Sequence, residues 1–508
     1  MQPSTTRPGG QLTVLFTVCL AGMILPLNFV SGAVATPAIA RELGGSAQAL
    51  SWITNAFMLT FGCFLMAAGA LADEFGRKKV FIFGVAGFAL LSLLQSFSTS
   101  LLWIDLLRGA QGMVAAAALA GGSAALAQEF DGPARTRAFS LLGTSFGVGL
   151  AFGPFLAGLL IAHFGWRSVF ISATVIALLA LLTGASRMRE SRNPDATGLD
   201  WPGTVTFTLM LALLTWALME IPQYGLQSSR VLSMLAGSAL LLALFIVVEL
   251  RVRRPMLDLS LFRFPRFIGV QALPLATGFC FVVLLVILPM QFIGIMGMNE
   301  QQAGLMMMAL SLPMLAVPLI AAWLTRWVSA GLLCTAGLVV AALGLGWLSL
   351  AVEAQNMTQM ILPMLLIGLG VGVPWGLMDG LSVSVVPKER AGMATGIFST
   401  TRVAGEGLSL AIVGALLATF ADHGLAAHFS GSAMAQASQR LATGDLLHAQ
   451  HLLPQASNAQ LQQIYATSLH HLLLCLMAIT LVSALVVMVA LAGKEKAQPA
   501  AVKDAAEV

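Results

Sequence analysis

Long apolar runs, separated by short clusters of polar and charged residues, recur along nearly the whole chain. Runs of roughly 17 or more mostly apolar residues fall at about 11–36, 50–72, 79–97, 101–127, 138–163, 168–186 and 203–219. Seven more fall at about 231–249, 268–294, 303–325, 329–351, 358–386, 391–420 and 468–493. A helix needs roughly 20 such residues to cross a ~30 Å hydrocarbon layer, so the pattern predicts fourteen transmembrane helices. Membrane β-strands would alternate apolar and polar residues over about ten positions, which these runs do not do. The run at 11–36 is too long for the core of a signal peptide and lacks a small-residue cleavage site, so it reads as a retained first span. The expected fold class is an all-α polytopic membrane protein.

Composition agrees: the chain is 58% hydrophobic and 9% charged, with a mean hydropathy of +0.88. The net charge of +4 says less than its placement. With the N-terminus inside, the inner segments hold Arg7, Arg77, Lys78, Lys79, Arg135, Arg137, Arg187, Arg189, Arg192, Arg251, Arg253, Arg254, Arg263, Arg266, Arg326, Lys388, Arg390, Lys494, Lys496 and Lys503. The outer segments hold only Arg41, Arg167, Arg230 and Arg440. This bias follows the positive-inside rule and predicts both termini in the cytoplasm of a bacterial-type (inner) membrane. Cys19, Cys63, Cys280, Cys334 and Cys475 all fall inside apolar runs, where thiols pack rather than pair, so no disulfides are expected.

The runs group into two sets of six around an inserted pair. The expected organisation is a tail at 1–10, a six-helix bundle at 11–186, a linker at 187–267 carrying helices 7 and 8, a second six-helix bundle at 268–493, and a tail at 494–508. One outer loop, 421–467, is long, polar and rich in histidine. His448 and His451 stand at i, i+3, but with no Cys or carboxylate cluster nearby the loop reads as a solvated, partly helical cap. No metal site and no cofactor are expected.

One stretch breaks the apolar pattern sharply. GALADEFGRKK, residues 69–79, crowds Asp73, Glu74, Arg77, Lys78 and Lys79 into the turn between spans 2 and 3. Topology alone needs only the positive charges. Gly69 and Gly76 would allow close helix approach and a sharp turn, and Asp73 would pair with an arginine or a helix end, latching one bundle against the other. The stretch resembles the loop 2–3 signature of the major facilitator superfamily, G-x-L-x-D-x-x-G-R-[KR]-[KR]. LLRGAQG at 106–112 resembles its span 4 pattern R-x-x-Q-G through Arg108, Gln111 and Gly112. GLAFGPFLAG at 149–158 resembles the span 5 motif of its proton-exchanging exporters through Gly149, Gly153, Pro154 and Gly158, with Ala157 replacing one glycine. Fourteen spans, with GWRSVF at 165–170, LDWPG at 199–203 and PKERAGMATGIFSTTR at 387–402, make the resemblance one to the fourteen-span drug:proton antiporters. The second half lacks a good copy of the charged turn: AAWLTRWVSAG at 321–331 keeps Arg326 but has no acid.

The resemblance implies multidrug efflux by alternating access, with protons and small molecules exchanged across the lipid bilayer. It also implies an acid in span 1, where this chain reads LNFVSGAVATP and places Asn28. The remaining acids inside spans are Asp105, one turn before Arg108 and expected to pair with it, Glu406 and Asp379. Phe29, Trp52, Met58, Phe146, Phe281, Met290, Trp375 and Met378 are candidates for an adaptable apolar pocket. Hydrophobic compounds, cationic ones included, are the expected substrates. The alternatives are a native metabolite, anionic or lipid-like compound bound by Arg108, or a uniporter. No clustered His, Cys or acid constellation within the spans points to an enzyme, and no G-x-x-x-x-G-K-[ST] loop points to ATP hydrolysis. No nucleic acid is an expected partner, and the chain is expected to act as a monomer.

Overall fold

A computed structural model describes residues 8–130, 132–184, 187–191, 200–252, 259–385, 391–430 and 433–491. The tail at 494–508, most of the tail at 1–10, and Arg7, Arg192, Arg253, Arg254, Lys388 and Arg390 lie outside the described residues. Among the described residues fourteen helices are long and apolar enough to cross a membrane. Spans 1 to 6 are Gly10–Leu43, Ala49–Phe75, Arg77–Ser96, Leu101–Glu129, Leu141–Phe164 and Arg167–Gly184. Spans 7 and 8 are Trp201–Leu218 and Ser229–Arg251. Spans 9 to 14 are Pro265–Ile295, Glu300–Leu324, Ala330–Glu353, Met357–Ser382, Ile397–Ala426 and Asn458–Leu491. Every predicted span has its helix, and the chain is an integral membrane protein built as two six-helix bundles with an inserted pair.

Two spans are less regular than their apolar patterns imply. Span 9 is α-helical at Pro265–Thr277 and Val283–Met290, with π-helical turns at Gly278–Val282 and Gln291–Ile295. Pro274 and Pro289 each lack the amide hydrogen that a continuous α-ladder needs, which accounts for local rewinding. Span 10 is interrupted by a 3-10 turn at Leu312–Leu315 around Pro313 for the same reason.

In the first half span 1 packs on 5, span 2 on 4, and span 3 on 4 and 6; in the second, span 11 packs on 12 and 14, and span 9 on 14. The halves meet along two seams, span 2 with 13 and span 5 with 10. Glycine makes both seams close. A Cβ on Gly62 would stand 2.8 Å from the Ala404 Cα, and one on Gly304 would stand 2.9 Å from the Pro154 carbonyl oxygen. Spans 7 and 8 pack mainly on each other, and span 7 also touches spans 2 and 13. There Glu220 is buried, accepts from Trp216 Nε1 at 3.2 Å and pairs with Arg230 at 3.0 Å. The 421–467 loop forms two short helices, Met434–Ala442 and Leu446–Leu452, whose apolar residues join the main core. It is helical as expected but less solvated: Ala437, Leu441 and Ala449 are fully buried.

Candidate functional site

Between the halves lies a narrow central cavity, with room for about 30 Å³ in this conformation. Spans 1, 2 and 5 contribute Leu25, Pro26, Phe29, Phe57, Met58, Phe61, Phe146 and Leu150. Spans 12 and 13 contribute Trp375, Arg402, Val403 and Glu406. The wall is therefore apolar and aromatic apart from one guanidinium and one carboxylate, the make-up of a small-molecule site.

Those two charges sit one helical turn apart on span 13. Arg402 Nη1 donates to both oxygens of Asp379 on span 12, at 3.2 and 3.3 Å. Its guanidinium also lies 5.4 Å from the Phe146 ring centroid and 5.7 Å from that of Phe398. A Cβ on Gly143 would stand 3.4 Å from Asp379 Oδ2, so the ion pair faces span 5 of the other half. Glu406 lines the cavity, and its carboxylate makes no hydrogen bond or ion pair among the described residues.

The span 4 cluster is built differently. Arg108 is fully buried, and its Nε donates to the Ile53 carbonyl at 2.7 Å. Its Nη1 donates to Gln111 Oε1 at 2.9 Å and to Asn28 Oδ1. The Phe57 ring lies 4.6 Å beneath the guanidinium, and Gln111 extends the network to Ser92 at 2.7 Å and Gln95 at 3.1 Å. Gly32 leaves the room, since a Cβ there would meet the guanidinium at 3.0 Å. The expected pairing of Asp105 with Arg108 is not what forms. The guanidinium reaches across to spans 1 and 2, and Asp105 Oδ1 is buried without a hydrogen bond. Asn28, which took the place of an expected acid, is thus the neutral partner of that arginine.

In the charged turn, Arg77 donates to Asp73 Oδ1 from Nε at 3.1 Å and Nη2 at 2.9 Å, and Nη1 donates to Gln128 of span 4. The Arg77 amide donates to the Ser191 carbonyl at 2.9 Å, and Glu190 Oε1 accepts from the Lys78 amide at 3.2 Å. Glu190 so satisfies a free amide in the first turn of span 3. Among the described residues the turn is tied to span 4 and, through Glu190 and Ser191, to the start of the linker that follows span 6; the expected contact with the other bundle is not formed. Gly76 has φ +116°, a conformation that favours glycine, and a Cβ on it would meet Glu190 Oε1 at 2.4 Å. Gly69 differs from expectation: a Cβ there meets nothing within 4 Å, so close approach does not explain it.

The span 5 glycines serve two interfaces. A Cβ on Gly149 would stand 2.3 Å from the Met23 carbonyl oxygen, and Gly153 accepts from Ser31 Oγ at 3.5 Å, both on span 1. A Cβ on Gly158 would stand 2.3 Å from the Glu300 carbonyl oxygen on span 10, next to the place where Gly304 meets Pro154. Glu300 also pairs with Arg41 of span 1, joining the halves at that end.

Of the pocket candidates, Phe29, Met58, Phe146 and Trp375 line the cavity. Trp52 instead meets Trp216 edge-on at 6.3 Å, Phe281 backs Trp375 at 6.1 Å, and Met290 and Met378 are buried away from the lining. Sequence reasoning missed Arg402 as a site residue; its signal was the Arg402–Glu406 spacing of one helical turn. Among the described residues no group of three or more His, Cys, Asp or Glu could hold a metal ion.

The chain has clear relatives. It is 30% identical over 421 residues to the multidrug resistance protein Stp of Mycobacterium tuberculosis, covering 82% of this chain and 78% of that one. It is 31% identical over 415 residues to the cephamycin export protein CmcT of Amycolatopsis lactamdurans, covering 80% and 85%. It is 29% identical over 431 residues to the tetracenomycin C resistance and export protein of Streptomyces glaucescens, covering 82% and 78%. In fold it is similar to a bacterial homologue of the lysosomal transporter Spinster in an inward-facing conformation, with a TM-score of 0.65 at 14% identity over 96% of this chain and 98% of that one. The family model of the Major Facilitator Superfamily matches residues 16–410. The chain belongs to the Major Facilitator Superfamily and is a membrane transporter.

Proposed function

We propose that this transporter is a proton-coupled exporter of hydrophobic compounds, cationic ones included, working by alternating access. The observation that carries the reading is Glu406, a carboxylate on the wall of an apolar cavity between the halves with no hydrogen bond or ion pair among the described residues. Arg402 and Asp379 neutralise each other, so Glu406 alone sets the net charge of the cavity when ionised. A proton or a monovalent cation balances it equally well. Occupation by one and then the other, with the opening changing sides between, is exchange of one proton per monocation.

The export direction draws on the relatives, two of which are named as export proteins and one as a multidrug resistance protein. In this reading both termini face the cytoplasm of a bacterial-type inner membrane, an orientation that the placement of Lys and Arg supports. The linker at 187–267 joins two rigid bundles, 11–186 and 268–493, that rock about the cavity. In this reading the span 4 arginine is not the substrate site: Arg108 is not among the residues of the cavity wall, and its Nε and Nη1 are held by Ile53, Asn28 and Gln111, while Nη2 has no hydrogen bond among the described residues.

The test is flux in everted membrane vesicles loaded by a pH gradient. Saturable uptake of a cationic dye that collapses when the gradient is dissipated is the expected result. Uptake indifferent to the gradient would mean a uniporter instead.

A further inference from the structure

The two buried tryptophans of the chain are treated differently. Trp166 Nε1 donates to Glu42 Oε2 at 2.8 Å. Trp375, equally buried at 3% exposure, donates to nothing among the described residues. A buried donor left unpaired costs about 1–3 kcal/mol, which native packing rarely tolerates without a reason. Trp375 also lines the cavity, and Phe281 packs behind its ring with centroids 6.1 Å apart. The ring is held, and its Nε1 is buried without a partner in a residue that lines the cavity between the halves.

Resting on the export reading, we infer that Trp375 Nε1 is a specificity-determining donor for substrate. The class it selects is a flat, largely apolar ring system carrying both a cationic centre and a neutral oxygen acceptor, such as a ring carbonyl. The cation faces Glu406, and the acceptor receives the indole hydrogen. A neutral acceptor fits better than an anionic one, because Glu406 shares the cavity and Arg402 is already held by Asp379. The ring system fits the aromatic wall of Phe29, Phe57, Phe61 and Phe146. A site built to hydrogen-bond its ligand discriminates against analogues lacking the group, because the protein's own donor is then left unpaired.

The test compares two probes in vesicles carrying the full chain. Doxorubicin is a cationic amine on a ring system with quinone carbonyls; ethidium is a cationic ring system with no oxygen. Trp375→Phe keeps the ring and removes the donor. Its half-saturating concentration for doxorubicin should rise about fivefold more than that for ethidium, the scale of one hydrogen bond. Equal changes for both probes, or no change for either, overturn the inference, as does a wild type that takes up neither. Glu406→Gln and dissipation of the gradient test the export reading separately, since both should depress uptake of the two probes together.

Discussion

Among the described residues each half of this transporter holds one buried arginine, and the two arginines are compensated in opposite ways. Arg108 in span 4 is sealed from the cavity and spread over neutral acceptors, an asparagine, a glutamine and a backbone carbonyl. Arg402 in span 13 faces the cavity and is held by a carboxylate, with a second carboxylate one turn away. The groups that hydrogen-bond the first arginine do not titrate, and Asp105, one turn away, makes no hydrogen bond to it. The second holds two acids and one base, so its charge changes with occupancy. On the proposed reading, this difference puts the working charge in the second half.

The largest effect should come from removing the cavity acid. Glu406→Gln is expected to lower gradient-driven flux on the order of 100-fold, the scale of losing an essential proton-transfer group, measured in everted vesicles. Asp105→Asn should stay within about twofold on the same contrast, having no arginine to release. A reversed outcome would place coupling in the first half and break the comparison.

Breaking the charged pair comes next. Arg402→Met leaves Asp379 uncompensated and should cost about 3–5 kcal/mol, read as a lower unfolding temperature in detergent. Adding Asp379→Asn to that variant should restore most of the loss. Arg108→Met strands only neutral groups, and its cost should be about 1–3 kcal/mol. Equal costs at the two arginines would mean that their different partners do not matter.

Converting the neutral partner into an acid sharpens the same contrast. Asn28→Asp gives the already buried Arg108 a counter-charge, and charge-assisted bonds are about twice as strong as neutral ones. A gain of about 1 kcal/mol in thermal stability is expected. A loss would show that Asn28 is held neutral for a reason other than this arginine.

The smallest effects separate two glycines of the charged turn. Gly76→Ala places a Cβ at positive φ and against Glu190, at a cost of about 1–3 kcal/mol. Gly69→Ala enters open space and should change stability by less than about 0.5 kcal/mol. Thermal unfolding of the two variants side by side decides it.

What the sequence determined by itself follows from local rules. Hydrocarbon thickness dictates span length, so the fourteen helices could be counted from apolar runs alone. Gly149, Gly153 and Gly158 announced close packing, because only a missing side chain permits backbones to touch. Tertiary structure decided the rest, through contacts between residues far apart in the chain. An apolar helix carries no mark of which side meets lipid and which meets a cavity, so Phe57 and Phe61 went unnoticed while Met290 and Met378 were misplaced. The partner of Arg108 lies 80 residues away in span 1, and only the crossing of spans 1 and 4 chose Asn28 over the nearer Asp105. Asp379 and Arg402 read as separate residues until spans 12 and 13 brought them to 3.2 Å. Composition and spacing set the helices, and the way they cross sets which charges meet.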